Sequence, residues 1–111
     1  MNLTKELVGA STAVLILKVL ARGPSYGYEI VRKVNDAAEG VFTWQEGTIY
    51  PVLRKLEKEG LLRSQWEDTD AGRSRKYYHI TKKGRKAAAA SVAEWQGFYG
   101  LVTRFAEAHG V

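Results

Sequence analysis

The chain has 111 residues, of which 45% are hydrophobic and 26% charged, values typical of a single globular domain. It contains no cysteine, which excludes disulfide bonds and thiolate metal sites. Its net charge of +5 is unevenly distributed: residues 46–86 hold eleven basic and six acidic side chains, whereas residues 1–45 sum to +1 and residues 87–111 to −1. Positive charge concentrated on one segment indicates a polyanionic partner for that segment.

Several classes of site are missing from the sequence. His79 and His109 lie far apart and have no constellation of cysteine or carboxylate ligands around them, so we expect no metal site. There is no nucleophile elbow, phosphate-binding loop or defensible pair of catalytic carboxylates, so we expect neither enzyme activity nor a cofactor. The chain opens without a signal sequence, and its longest apolar run, residues 13–17, is far too short to span a bilayer. We therefore expect a soluble, cytoplasmic protein with no membrane partner.

Two helices are predicted in the first third of the chain. The first runs from about Thr4, an acceptable N-cap, to Ala21, and it is apolar on nearly all sides, as is typical of a helix covered on more than one face. Ser25 is the predicted N-cap of the second helix, residues 26–38. Residues 40–44 are short and β-prone, and they predict either an extended connector or a strand of a single bridge.

A third predicted helix organises the rest of the chain. Its apolar residues recur at i, i+3, i+4 and i+7, the spacing of one buried helix face: Ile49, Val52, Leu53 and Leu56. Because Pro51 has no N–H group, it is tolerated in a first turn, so the helix is predicted to begin near Gly47 with Glu46 as its cap. Gly60 adopts positive φ without steric cost and is predicted to end the helix.

A two-stranded hairpin is predicted after this helix. Residues 62–68 alternate in polarity with a period of two, residues 69–72 are typical of a turn, and residues 73–80 return as the second strand. Segment 72–86 holds seven basic residues and no acidic one: Arg73, Arg75, Lys76, Lys82, Lys83, Arg85 and Lys86.

The last helix is predicted to be capped by Thr81 and to carry a seam of apolar residues. These residues recur at steps of three and four, close to a heptad pattern: Ala88, Val92, Trp95, Phe98, Val102 and Phe105. A second copy of the chain is the economical cover for such a seam, so we predict a homodimer. The predicted dimerisation residues are Val92, Trp95, Phe98, Val102 and Phe105. Gly97 and Gly100 weaken a helix, and we expect them to leave a gap in the seam.

The order of these elements predicts an α+β, mostly α fold. It is a winged helix-turn-helix with a long C-terminal dimerisation helix. We expect residues 1–80 to form the DNA-binding unit and residues 81–111 to form the dimerisation helix.

Three ordered segments resemble the PadR family of transcriptional regulators. They are residues 9–30, which contain the motif ARGPSYGYEI, residues 47–62, which read GTIYPVLRKLEKEGLL, and residues 72–84, which form the wing. The single C-terminal helix is similar to that of the short subfamily, in which this helix mediates dimerisation. The resemblance therefore covers most of residues 9–84.

The resemblance implies that the third helix enters the major groove and that the wing contacts phosphates or the minor groove. The residues carried over to this chain are Thr48, Tyr50, Pro51, Arg54, Lys55, Arg73, Arg75 and Lys76. Arginine and lysine neutralise phosphates, and a helix N-terminus adds N–H donors. Two interpretations of Tyr50 stay open: contact with DNA, and packing against the second helix.

A ligand site is also implied by the resemblance. In multidrug-sensing members similar to this chain, a tryptophan at the matching point of the last helix pairs with its symmetry mate, and the two indoles enclose flat aromatic compounds. The implied site for a planar aromatic ligand is formed by Trp95, Phe98, Tyr99, Val14, Leu15 and Leu7. Other members respond to phenolic acids. The alternative interpretation is that Trp95 only fills the dimer core.

The predicted function is that of a transcriptional regulator. We expect a repressor that binds a palindromic double-stranded DNA operator as a homodimer and is released by an aromatic small molecule. The alternative is a winged-helix module that binds proteins and has no sequence-specific affinity for DNA. Preference for one duplex over random duplex separates the two functions.

Overall fold

The computed structural model describes residues 5–109, with the backbone alone for residue 109, and the predicted N-cap Thr4 lies outside this range. The described residues form seven elements in chain order: α1 (Lys5–Leu20), β1 (Ser25–Tyr26), α2 (Gly27–Ala38), α3 (Glu46–Lys58), β2 (Leu62–Asp68), β3 (Ser74–Ile80) and α4 (Lys82–His109). The predicted fold class, a mostly α winged helix-turn-helix with a long C-terminal helix, is confirmed. Each helix within residues 5–109 is too short or too polar to cross a membrane.

The sheet contains one strand that the sequence pattern does not reveal. The strands of the described chain pair in the order β1-β3-β2, and both pairings are antiparallel. β2, β3 and the turn between them form the wing, whose register runs from Leu62 opposite Ile80 to Asp68 opposite Ser74. β1 is only two residues long and adds a third strand by pairing Ser25 with Tyr78.

Ser25 lies in β1, so its prediction as the N-cap of α2 is wrong. The N-cap is Tyr26, which makes no side-chain capping hydrogen bond. Ser25 is fully buried, and its hydroxyl accepts a hydrogen bond from Lys33 Nζ at 2.8 Å. The hydroxyl therefore ties β1 to Lys33 in the middle of α2. Because Ser25 pairs with β3 in the sheet, it does not cap the start of α2.

The hydrophobic core lies between the first three helices and the inner face of the sheet. Its most deeply buried large side chains include Ile16, Leu20, Ile30, Ile49 and Leu53, which come from α1, α2 and α3. Burial of each such side chain contributes about 1.5–3 kcal/mol. The core therefore fixes the orientation of α3 relative to the other helices.

The connector between α2 and α3 is held by Trp44 and has no strand pairing. Trp44 is 4% exposed, and its Nε1 donates a hydrogen bond to Thr12 Oγ1 of α1 at 2.9 Å. The Trp44 backbone N–H donates to Asn35 Oδ1 at 2.7 Å, and its carbonyl accepts from Asn35 Nδ2 at 3.0 Å. One asparagine side chain thus satisfies both backbone groups, so the extended connector is confirmed and the single-bridge alternative is not.

The start of α3 differs from the prediction in two ways. The helix begins at Glu46, and its N-cap is Gln45, so the prediction that Glu46 is the cap is wrong. The Gln45 carbonyl accepts the first hydrogen bonds of the helix, from the N–H groups of Thr48 and Ile49. Pro51 consequently lies in the second turn, where it leaves the Gly47 carbonyl without an intrahelical donor. Gly47 is exposed, so solvent can reach that carbonyl.

The predicted end of α3 at Gly60 is confirmed. Gly60 has φ of 79°, and its N–H donates to the Glu57 carbonyl at 3.0 Å. The Leu61 N–H donates to the Leu56 carbonyl at 2.9 Å. This pair of bonds is a Schellman motif, which stops the helix and turns the chain into β2.

α4 begins packed against the rest of the fold, including α1, and then extends beyond it. Its predicted cap is confirmed, because Thr81 Oγ1 accepts a hydrogen bond from the Gly84 N–H at 3.0 Å. Ala88 in the early part of the helix is 4% exposed, whereas Phe98 and Val102, further along the same face, are exposed. At 28 residues the helix is about 42 Å long. Its distal half therefore presents an uncovered apolar face in the single chain.

The prediction that Gly97 and Gly100 open a gap in this apolar face is wrong. α4 is continuous, and these glycines follow Trp95 by two and five residues, which places them about 200° and 140° around the helix. They lie on the opposite side from Val102. A Cβ added at Gly97 would have no atom within 4 Å.

Candidate nucleic-acid interface

The two faces of α3 divide its residues into anchors and exposed groups. Ile49, Leu53 and Leu56 are buried in the core and hold the helix in place. The outward side exposes four of the predicted DNA-binding residues: Thr48, Pro51, Arg54 and Lys55. Arg54 and Lys55 thus present cationic heads to solvent from a helix that cannot shift without disrupting the core.

Tyr50 lies between the core and this exposed surface. Its ring packs against α2 where Gly27 has no side chain, and a Cβ at Gly27 would come within 2.8 Å of the Tyr50 hydroxyl. The predicted packing against the second helix is therefore confirmed, while contact with DNA stays a prediction. Burial first, and then the electrostatic effects of Glu46 and Tyr78, raise the pKa of Tyr50. The phenol is thus protonated at neutral pH and can donate a hydrogen bond.

The three cationic residues predicted on the wing have different surroundings. Arg73 is exposed in the turn region. Arg75 is exposed as well, but its guanidinium stacks 4.3 Å from the centroid of the Tyr26 ring. Tyr26 in turn meets Tyr77 edge to face, with the ring centroids 5.6 Å apart. Arg75 is therefore pre-oriented by β1.

Lys76 has anionic and aromatic neighbours on the inner face of the wing. Its Nζ lies 3.9 Å from a carboxylate oxygen of Glu57 and 5.5 Å from the centroid of the Tyr78 ring. The Ser64 hydroxyl also donates a hydrogen bond to Glu57. Glu57 belongs to α3, so these contacts link α3 to the wing and partly neutralise Lys76.

A concave surface that encloses a volume of about 490 Å³ separates the start of α3 from the wing. It is rich in aromatic side chains, with cationic residues of β3 on one side: Tyr26, Tyr28, Tyr50, Trp66, Tyr78, Arg75 and Lys76. The sequence prediction omitted Tyr28 and Trp66 from the site. The alternation of residues 62–68 was the available signal for Trp66, since it assigns Trp66 to the same sheet face as Ser64.

The predicted ligand residues lie on α1 and α4, which pack against each other. Trp95, Val14 and Leu15 are half-buried, whereas the remaining members of the set are exposed: Leu7, Phe98 and Tyr99. Leu15 lines a separate surface cavity of about 470 Å³ between α1 and α2. The lining of that cavity includes no residue of α4.

Among the side chains that the structure describes, those of residues 5–108, no group of three or more histidines, aspartates or glutamates could hold a metal ion. The candidate interface therefore offers cations, hydroxyls, aromatic rings and the N-terminal turn of α3. These are the groups that contact phosphates, sugars and base edges in nucleic acids.

A wing joined to a core-anchored helix with a basic outer face defines the winged helix-turn-helix class. Residues 16–90 match the family model described as the transcriptional regulator PadR-like family. The chain belongs to the PadR family of transcriptional regulators, and the predicted family is confirmed.

Known structures with this fold align along almost the whole chain. A transcriptional regulator from Clostridium thermocellum superposes with a TM-score of 0.84 at 27% identity, covering 94% of this chain and 98% of that one. A PadR-like transcriptional regulator from Bacillus cereus gives 0.78 at 30% identity, with coverages of 91% and 96%. An uncharacterised protein from Lysinibacillus sphaericus is 31% identical over 93 residues, which are 84% of this chain and 85% of that protein.

Proposed function

We propose that this transcriptional regulator is a cytoplasmic repressor that binds a palindromic duplex operator as a homodimer. The observation that carries the proposal is the basic outer face of α3, held rigidly beside a basic wing. In this arrangement α3 enters the major groove, Arg54 and Lys55 contact phosphates or base edges, and Arg73 contacts the backbone near the wing tip. The N-terminal turn adds the exposed Thr48 side chain, which carries a hydroxyl, and the positive end of the helix dipole.

The proposed dimer uses the distal half of α4. The face of this helix that begins on the body continues outward with Trp95, Phe98, Val102 and Phe105, three of which are exposed in the single chain. An exposed apolar surface of this kind is typical of a protein interface. With residues 1–80 as the DNA-binding unit and residues 81–111 as the dimerisation helix, a two-fold axis would set two α3 helices about one DNA turn, roughly 34 Å, apart.

Substitutions of single arginines test the proposed DNA surface. The duplex for this test is selected from a random library by its binding to the parent chain. We expect Arg54→Ala to weaken binding to this selected duplex about tenfold, because the substitution removes a side chain that reaches into the groove. Arg73→Ala should weaken binding to all duplexes and lower the slope of log affinity against log salt by about 0.9 for each phosphate that is no longer neutralised. Fluorescence anisotropy titrations at several salt concentrations measure both effects.

Arg104→Ala is the matched control for these two variants. It removes the same charge from the distal half of α4, on the side of the helix away from Val102. Its affinity should stay within about twofold of the parent. Equal losses of affinity in all three variants would show that only overall charge matters, and unchanged binding in Arg54→Ala and Arg73→Ala would place the interface elsewhere.

We propose further that an aromatic or phenolic molecule releases the operator by binding near Trp95 at the dimer interface. Such a ligand needs to favour another dimer spacing by only a few kcal/mol to empty the operator. The half-buried indole of Trp95 beside the exposed Phe98 and Tyr99 supports this hypothesis. The indole offers a surface on which a flat ring can stack.

A planar dye tests this ligand site. We expect the dye to quench tryptophan fluorescence in the parent, and we expect the quench to be absent in Trp95→Ala while dimerisation and DNA binding are retained. Trp95→Phe is the control for packing, since it preserves an aromatic filler but not the fluorophore. An equally strong quench in Trp95→Ala would mean that the dye binds elsewhere, and that Trp95 is ordinary dimer core.

A further inference from the structure

We infer that the concave surface between α3 and the wing seats one sugar-phosphate strand of the operator, and that the Trp66 indole packs against the sugars of that strand. This inference rests on the proposed DNA-binding function. It adds a contact of a different kind from those of the basic residues, because an indole face binds by apolar packing.

The concavity lies between the two elements that are proposed to contact DNA. α3 and the wing project from either side of it, and both lie in the proposed interface. If α3 occupies the major groove and the wing reaches the neighbouring minor groove, the backbone strand that separates these grooves must cross the surface between them. Tyr28 and Tyr50 line this surface from the helical side, and Trp66 lines it from the wing.

Trp66 is unusually exposed for a large aromatic side chain at this position. Trp66 is 68% exposed although it lies on the sheet face that carries buried Leu62 and Tyr78 nearer the base of the wing. It sits opposite Lys76 in the β2–β3 register, four residues along β2 from the buried Leu62. The indole therefore stabilises little of the folded chain while presenting a large apolar surface to the concavity.

The charges around the concavity favour a nucleic-acid strand as its occupant. Arg75 lines it and is oriented by the Tyr26 ring, and exposed Arg73 lies near it in the chain. Lys76, which also lines it, is already paired with Glu57 of α3. The cationic side chains suit phosphates, and the apolar indole face of Trp66 suits the deoxyribose rings between them.

Two variants of Trp66 test the inference on the full chain with the selected duplex. We expect Trp66→Ala to raise the Kd about tenfold and Trp66→Phe to raise it about threefold, because phenylalanine keeps part of the apolar contact. The salt slope should equal that of the parent in both variants, since no cation is removed. The melting temperature measured by circular dichroism should equal that of the parent in both variants, as expected for changes at an exposed side chain.

A spectroscopic signal makes the test specific to contact by Trp66. Saturating duplex should quench the parent's tryptophan fluorescence, and most of that quench should be missing in Trp66→Phe at the same fraction bound. Gln65→Ala, a change at the neighbouring exposed residue on the other strand face, should retain the parent's affinity and quench.

The outcomes separate this inference from the proposed function. If the parent binds no duplex, the proposed function fails. If the parent binds, but Trp66→Ala binds as tightly or the quench persists in Trp66→Phe, the strand does not pack on Trp66 and the inference alone is overturned. A lower salt slope in Trp66→Ala would also overturn it, because the weaker binding would then be electrostatic in origin.

Discussion

Replacing Gly84 with alanine is expected to destabilise the protein by about 3 kcal/mol, because overpacking against fixed backbone is costly. Gly84 is buried in the first turn of α4, and a Cβ there would overlap the Leu61 carbonyl oxygen and lie 2.8 Å from Ile80 Cγ1. The carbonyl cannot move freely, since it accepts the Thr81 N–H at 3.1 Å and its residue closes the Schellman motif of α3. The added methyl group would therefore separate α4 from the base of the wing.

Urea unfolding followed by circular dichroism measures this effect. Gly47→Ala is the matched control, because Gly47 is also helical but a Cβ there meets no atom within 4 Å. We expect no loss of stability in Gly47→Ala, since alanine has the higher helix propensity. A Gly84→Ala midpoint equal to that of the parent would show that α4 does not pack on the Leu61 carbonyl as described.

Placing a carboxylate on the apolar face of α4 is expected to dissociate the proposed dimer. Val102→Glu puts a charge where the interface should be dry, and an unpaired buried charge costs several kcal/mol, so the dimer Kd should rise by more than about 100-fold. Operator affinity should fall with it, because a monomer engages one half-site only.

Ala93→Glu is the control on the same helix. Ala93 is exposed and lies about 180° around α4 from Val102, so the added charge should leave the dimer intact. Sedimentation at micromolar concentration distinguishes the species. If the parent is itself monomeric, or if Val102→Glu stays dimeric, the proposed interface is in the wrong place.

Features set by local physics were predictable from the sequence. The wing follows from period-two alternation around a turn. The end of α3 at Gly60 and the cap of α4 at Thr81 follow from residues whose preferred conformations act within one turn of the chain. The exposed basic side of α3 follows from the spacing of Ile49, Leu53 and Leu56.

Features that depend on distant contacts were not predictable in this way. β1 exists because Ser25 pairs with Tyr78, more than fifty residues away, and the serine hydroxyl is taken by Lys33. The connector is fixed by the hydrogen bond of Trp44 to Thr12 on α1. The sequence suggested that Pro51 must lie in a first turn, but burial of Ile49 and Leu53 outweighs one missing hydrogen bond.

The candidate site shows the same division. Its cationic residues are identifiable from charge and motif, but the pairing of Lys76 with Glu57 requires α3 to lie beside the wing. The aromatic concavity is likewise formed by residues from α2, α3, β2 and β3, with Tyr26 from β1. Only the folded chain brings Trp66 and Tyr50 to one surface.

Competition between duplexes measures the central claim most directly. The full chain is bound to a labelled duplex selected from a random library, and unlabelled selected or random duplex of equal length is added near physiological salt. We predict that the selected duplex competes about 1,000-fold better or more, and that the complex contains two chains per duplex. Equal competition by the two duplexes would contradict the claim and favour a winged-helix module whose basic surface binds an acidic protein.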